Sequence, residues 1–84
     1  MVITGEERDM SNVLGRNIRS RRLAKGVSQQ ELGEAVGITS EGTSAQVKVS
    51  DWERGITEPR VSTVIKIAKF LGCSVEDLIR EESE

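Results

Sequence analysis

The sequence predicts an all-α domain of five short helices. Three observations carry that expectation. Gly and Pro cut the chain into short pieces, several pieces open on Ser or Asn, and apolar residues recur every three or four positions, with no alternating strand pattern. The length of 84 residues fits one small domain.

Each helix has local reasons. Residues 1–10 are polar and aperiodic, so they are expected to form a flexible N-terminal tail. Segment 11–25 opens on Ser11 and Asn12 and stops at Gly26; Leu14, Ile18 and Arg22 follow one line at i, i+4 spacing. Segment 28–36 starts with Ser28 and carries Glu31 three residues on, a capping box; its expected buried line is Leu32, Ala35 and Val36, and Gly37 ends it. Residues 39–44 read as loop, with Ser44 as the cap of the next helix. Segment 45–54 places Ala45, Val49, Trp52 and Glu53 on one face and terminates at Gly55. After Pro59, segment 61–71 sets Val61, Val64, Ile65, Ala68 and Leu71 at helical spacing and closes at Gly72. Ser74 with Asp77 three later starts a last helix carrying Val75, Leu78 and Ile79. Residues 11–80 form the domain, and 81–84 an acidic C-terminal tail.

Composition removes several function classes. There is no His, which excludes His-based triads and most zinc sites, so neither a metal site nor catalysis is expected. Cys73 is the single cysteine, so no intrachain disulfide forms; a reducing, cytoplasmic setting is expected, with Cys73 as a small buried hydrophobe. Ser28 and Ser74 are caps and lack a base to activate them. Lys66 and Lys69 interrupt the most apolar stretch, so no membrane span is expected, and no cofactor is implied.

The net charge of −2 hides an uneven distribution. Residues 1–10 carry net −2 and residues 76–84 net −4, whereas residues 11–75 carry ten Lys and Arg against six acids, net +4. Arg16, Arg19, Arg21, Arg22 and Lys25 follow one another without an acid between them. On charge alone this is a solvated helix face; a local basic surface is equally what phosphate contact needs, because screening cuts off distant charges within about 8 Å at physiological salt.

The arrangement of small and large residues in 28–55 is more specific. Gly33 lies inside a helix, where it costs about 1 kcal/mol against Ala. Such a glycine suits the close approach of another backbone, here the following helix crossing steeply as in a helix-turn-helix. That next helix buries Val49 and Trp52, the latter as core, and turns Gln46, Val47, Lys48, Ser50, Asp51 and Arg54 outward.

In this order and spacing, the pieces LGRNIRSRR, KGVSQQELGEAVGI, VSDWERG and EPRVSTVIKIAKFLGCSVEDLI make Leu14–Ile79, 66 of 84 residues, resemble the phage repressor and Cro-like helix-turn-helix family (lambda-repressor-like, XRE-type). The resemblance implies a lambda-repressor-like DNA-binding fold and a sequence-specific transcriptional regulator, most often a repressor, that lays its third helix in the major groove. It implies a phosphate contact for Gln29, a base contact for Gln46, a backbone or minor-groove contact for Arg60, and an Arg22–Glu53 salt bridge that holds the third helix. Arg19 and Arg21 join the DNA-facing set by their charge. Asp51 can accept from cytosine N4 or simply repel phosphate.

The chain departs from that family in one place: between Gly37 and Val49 it takes about six residues more than the family's short turn. The extra residues fall in 39–44, where Glu41 repels phosphate and the N–H groups around Gly42 and Ser44 attract it. One such domain buries little surface, so a homodimer on two half-sites about 34 Å apart is expected, with Val75, Leu78 and Ile79 as a dimer surface or as closure of the core. The competing expectation is a protein-interaction module of the same fold, such as an antitoxin that neutralises a partner protein through the 39–44 loop.

Overall fold

A computed structural model describes residues 10–38 and 44–80, with side chains from Val13 onward. The expected loop residues 39–43, most of the N-terminal tail and the acidic tail 81–84 lie outside the described residues. The elements run α1 (Met10–Lys25), α2 (Gln29–Ala35), α3 (Ala45–Glu53), α4 (Val61–Leu71) and α5 (Val75–Ile79). The described residues hold these five helices and no strand, as expected. None of the helices is long and apolar enough to cross a membrane.

The helix ends follow the local chemistry of the sequence. Ser28 accepts from the Glu31 N–H while Glu31 accepts from the Ser28 N–H, and Ser74 and Asp77 repeat the arrangement at α5. In the second box the Ser74 N–H and hydroxyl hold the Asp77 carboxyl below the usual carboxylate range. Ser44 caps α3 by accepting from the Val47 N–H at 3.1 Å. Gly26, Gly37, Gly55 and Gly72 all stand at positive φ, where the sequence places helix ends.

The core gathers Leu14 and Ile18 of α1, Leu32 and Val36 of α2, Val49 and Trp52 of α3, Val64, Ile67, Ala68 and Leu71 of α4, and Leu78 of α5. Burying each of the Val, Leu and Ile side chains among them contributes about 1.5–3 kcal/mol before chain entropy is counted.

Two packing expectations need correction, and a third, left open, is resolved. Ala35 is exposed, and Gly33 takes its place on the buried side of α2. The buried arc runs through Leu32, Val36 and Gly33, and Ala35 falls about 60° outside it, beyond Leu32 and away from Gly33. On α4 the buried line is Val64, Ile67, Ala68 and Leu71, so Val61 at 75% exposure and Ile65 lie outside the core. Val61 opens the first turn beyond the reach of its neighbours, and Ile65 sits about 100° from Val64. On α5, Leu78 is fully buried and Val75 packs against the core while Ile79 is exposed, so this line serves mainly to close the core, the second of its two expected roles.

Polar contacts close α5 onto α1. Asn17 donates through Nδ2 to the Leu78 and Arg80 carbonyls at 2.7 and 2.8 Å, answering carbonyls that a helix C-terminus leaves unpaired. Cys73 is half-buried against the core, and burial pushes its thiol pKa up, which suits a small hydrophobe.

Candidate nucleic-acid interface

The surface of interest is the outward side of α3, and the chain fixes that helix at both ends. At its N-terminus, α2 presents Gly33. A Cβ built there would lie 2.6 Å from the Ala45 Cβ and 2.9 Å from the Ala45 carbonyl oxygen. Only a glycine admits this approach, which fulfils the expectation drawn from its position. Gln30 adds a polar link: its Oε1 accepts from the Gln46 N–H at 3.2 Å.

At the C-terminal end, Arg22 and Glu53 meet as the resemblance implied. Arg22 Nε donates to Glu53 Oε2 at 2.6 Å and Nη2 to Oε1 at 3.2 Å, a two-pronged pair with both residues buried. Arg22 Nη1 also donates to the Val27 carbonyl at 2.9 Å, so one guanidinium ties α1, the α1–α2 turn and α3 together. Gly15 of α1 completes the contact, since a Cβ there would collide with the Trp52 and Glu53 carbonyls.

Between these anchors Val49 and Trp52 point into the core, and Gln46, Val47, Lys48 and Arg54 are exposed while Ser50 and Asp51 are half-exposed. Val47, at 50% exposure, is the apolar member of an otherwise polar face. The helix then turns into the α3–α4 loop, where the Asp51 carbonyl accepts from the Ile56 N–H at 2.9 Å. Ile38, Lys48, Trp52, Thr57, Glu58, Pro59, Arg60 and Thr63 line a shallow cleft of about 260 Å³ beside α3. Arg60 therefore stands next to the α3 face, at the start of α4.

The other expected contacts are placed as follows. Gln29 opens α2, and its Nε2 donates to Glu53 Oε1 at 3.0 Å, so this side chain belongs to the buried ion-pair network. Arg21 faces α5, with Nη2 4.0 Å from Asp77 Oδ2. Arg19 is exposed on α1, on the stretch it shares with Arg16, Ser20 and Leu23. The structure thus gathers Gln46, Val47, Lys48, Ser50, Asp51, Arg54 and Arg60 around α3 and turns Arg21 toward α5. Sequence reasoning missed Gly15, Asn17 and Gln30. Gly15 carries the same signal that marked Gly33, a glycine inside a helix; the two amides are polar residues whose partners lie in other elements.

Two consecutive helices in backbone contact, the second with an exposed polar face, define a helix-turn-helix protein. The comparisons agree: a helix-turn-helix family model matches residues 18–78, and the chain belongs to that family. It is 33% identical over 70 residues to Repressor protein C2 of Salmonella phage P22, and 31% identical over 68 residues to the SPbeta prophage-derived HTH-type transcriptional regulator YonR of Bacillus subtilis. These alignments cover 83% and 81% of the chain but 30% and 57% of the two relatives, so the chain spans less than two thirds of either. Among solved structures it resembles the P22 c2 repressor in complex with a synthetic operator, at TM-score 0.70 and 33% identity over 83% of this chain and 97% of that one. It also resembles the hypothetical transcription factor NHTF from Neisseria, at TM-score 0.75 and 32% identity over 89% of this chain and 79% of that one.

Proposed function

We propose that this protein binds duplex DNA selectively, as a homodimer with α3 of each copy in the major groove, and that it regulates transcription as a repressor. The observation that carries the reading is the division of α3. Val49 and Trp52 are buried beneath it, Glu53 is bolted to α1, and Gln46, Val47, Lys48, Ser50, Asp51 and Arg54 are left facing outward on a rigid helix. In the family's docking mode that side meets base edges. The operator complex of the P22 c2 repressor supports the same reading for a similar fold.

Within this mode the residues divide by chemistry. Gln46 pairs with adenine N6 and N7, and Ser50 and Asp51 occupy the next turn. Lys48, Arg54 and Arg60 contact phosphates, joined by Arg19 on α1. Gln29, with one amide N–H on Glu53, has its second amide N–H to donate to a phosphate at the start of α2. Arg21, paired with Asp77, contributes least. One domain of this size buries too little surface for tight binding alone, so two copies occupy two half-sites about 34 Å apart.

Selection from a random duplex pool tests the reading. Two related half-sites one helical turn apart are expected to be enriched. Affinity for the selected site should fall steeply with salt, with a logarithmic slope of about −0.9 per neutralised phosphate. An unenriched pool together with a flat salt response would overturn the assignment. Gln46→Ala should then reduce discrimination at one base pair per half-site by about fivefold or more, the weight of one bidentate pair, without changing the melting temperature. Unchanged selectivity would remove Gln46 from the reading surface.

A further inference from the structure

We propose that Gln30, on α2, is a positioning residue for base readout: it sets the first turn of α3 and hence the starting point of the Gln46 side chain. The inference rests on the reading of Gln46 as a base-contacting residue. The first N–H groups of a helix have no partner within it. On α3 the Val47 N–H is answered by Ser44 within its own turn, but the Gln46 N–H is answered from another helix, by Gln30 Oε1 at 3.2 Å.

The orientation of that amide is determined by its other end. Gln30 Nε2 donates to Glu34 Oε2 at 2.7 Å. An ionised carboxylate only accepts, so Glu34 holds the NH2 group and leaves the carbonyl oxygen aimed at α3. Gln30, Gly33 and Glu34 stand at i, i+3 and i+4 on one face of α2. Gly33 brings Ala45 into backbone contact, which puts the next residue, Gln46, within reach of the Gln30 oxygen. The three residues act together: the glycine sets the separation of the helices, Glu34 orients the amide, and the amide fixes the rotation of the first turn of α3.

The Gln46 and Val47 N–H groups are both engaged inside the chain, so selectivity at this end of α3 depends on side chains placed by Gln30.

The test combines the free protein with its selected DNA site. Gln30→Met keeps length and helix preference but removes both hydrogen bonds. In the free protein it should speed amide hydrogen exchange at Gln46 several-fold while leaving Val49 and Trp52 unchanged. On DNA it should lower discrimination at the base pair read by Gln46 by about two- to tenfold, the range for one net hydrogen bond. Glu34→Ala, which frees the amide to turn, should act in the same direction. The Gln30→Met/Gln46→Ala double variant should discriminate no worse than Gln46→Ala alone. Independent losses in the double variant would mean that Gln30 touches DNA itself and would overturn the proposal. So would unchanged Gln46 exchange in Gln30→Met. A wild-type protein without base preference would overturn the DNA reading, and the readout role with it. The exchange experiment reports separately whether Gln30 holds α3.

Discussion

Arg22→Ala is expected to lower the melting temperature by about 12 °C or more, and at ordinary growth temperatures to leave a substantial unfolded fraction. Arg22 is 7% and Glu53 8% exposed. Removing the guanidinium leaves a buried carboxylate that keeps the Gln29 amide at 3.0 Å but no charged partner in the pair. It also leaves the Val27 carbonyl without the donor that served it at 2.9 Å. Breaking a buried pair from one side costs about 3–5 kcal/mol, and in a domain of this size each kcal/mol is worth about 4–8 °C. Position adds to the cost. Glu53 is the last residue of α3, where the helix dipole already disfavours negative charge, so Arg22 must offset the dipole as well as burial. Arg19→Ala, at an exposed site on the same helix, should shift melting by no more than a few degrees. Circular-dichroism melts of the two variants decide the matter, and equal midpoints would deny the pair its structural role. Arg22→Met/Glu53→Leu should recover part of the loss, because an apolar pair carries no unpaired charge. Recovery stays incomplete, since the Val27 carbonyl lacks its donor in both variants and the Gln29 amide also loses Glu53 in the double variant.

That pair also shows what kind of information the sequence carries. Helix ends were legible because they depend on neighbours along the chain: Ser28 with Glu31, Ser74 with Asp77, Ser44 before α3, and Gly72 after α4 are each set within a few residues. Packing was legible where one line of side chains runs along a helix at i, i+4 spacing, as with Leu14, Ile18 and Arg22 on α1. It was less so where the buried arc depends on which side a partner approaches. Ala35 and Val61 lie at helical spacing from core residues, yet α3 covers α2 on the Gly33 side, and the core ends short of the first turn of α4. The site divides in the same way. The outward set of α3 follows once Val49 and Trp52 are placed inside. The roles of Gln29 and Arg21 turn on Glu53 and Asp77, residues distant in sequence, and periodicity says nothing about which polar group will stand opposite another. Arg22 and Glu53, 31 positions apart, were named together only through the family resemblance.

Gly33→Ala is the second substitution expected to have a large effect, and its sign is set by two opposing terms. Alanine improves the intrinsic stability of a helix interior by about 1 kcal/mol. At this position its Cβ would meet the Ala45 Cβ at 2.6 Å, with the Ala45 carbonyl oxygen at 2.9 Å and carbonyl carbon at 3.1 Å. Two of the three obstacles are backbone, which cannot rotate away, so α2 and α3 must separate. Overpacking of this kind costs about 1–3 kcal/mol and occasionally more, with the upper part of the range applying where backbone is in the way. The net expectation is a fall in melting temperature of about 5–10 °C. Ala45→Gly in the Gly33→Ala background should restore only part of it, because the new glycine removes the Cβ collision but leaves both backbone atoms where they were. If the repair were complete, the side-chain contact alone would set the separation of the helices. DNA selectivity should fall further than stability suggests, because moving α2 away also draws Gln30 from the Gln46 N–H. Ala35→Gly, at the exposed last position of α2, provides the contrast: it should lose about 1 kcal/mol at most through helix propensity and leave base preference intact. A Gly33→Ala protein that melts lower yet selects the same sequence with the same stringency would show that α3 keeps its pose without close contact to α2, and that the Arg22–Glu53 anchor at the other end is sufficient to hold it.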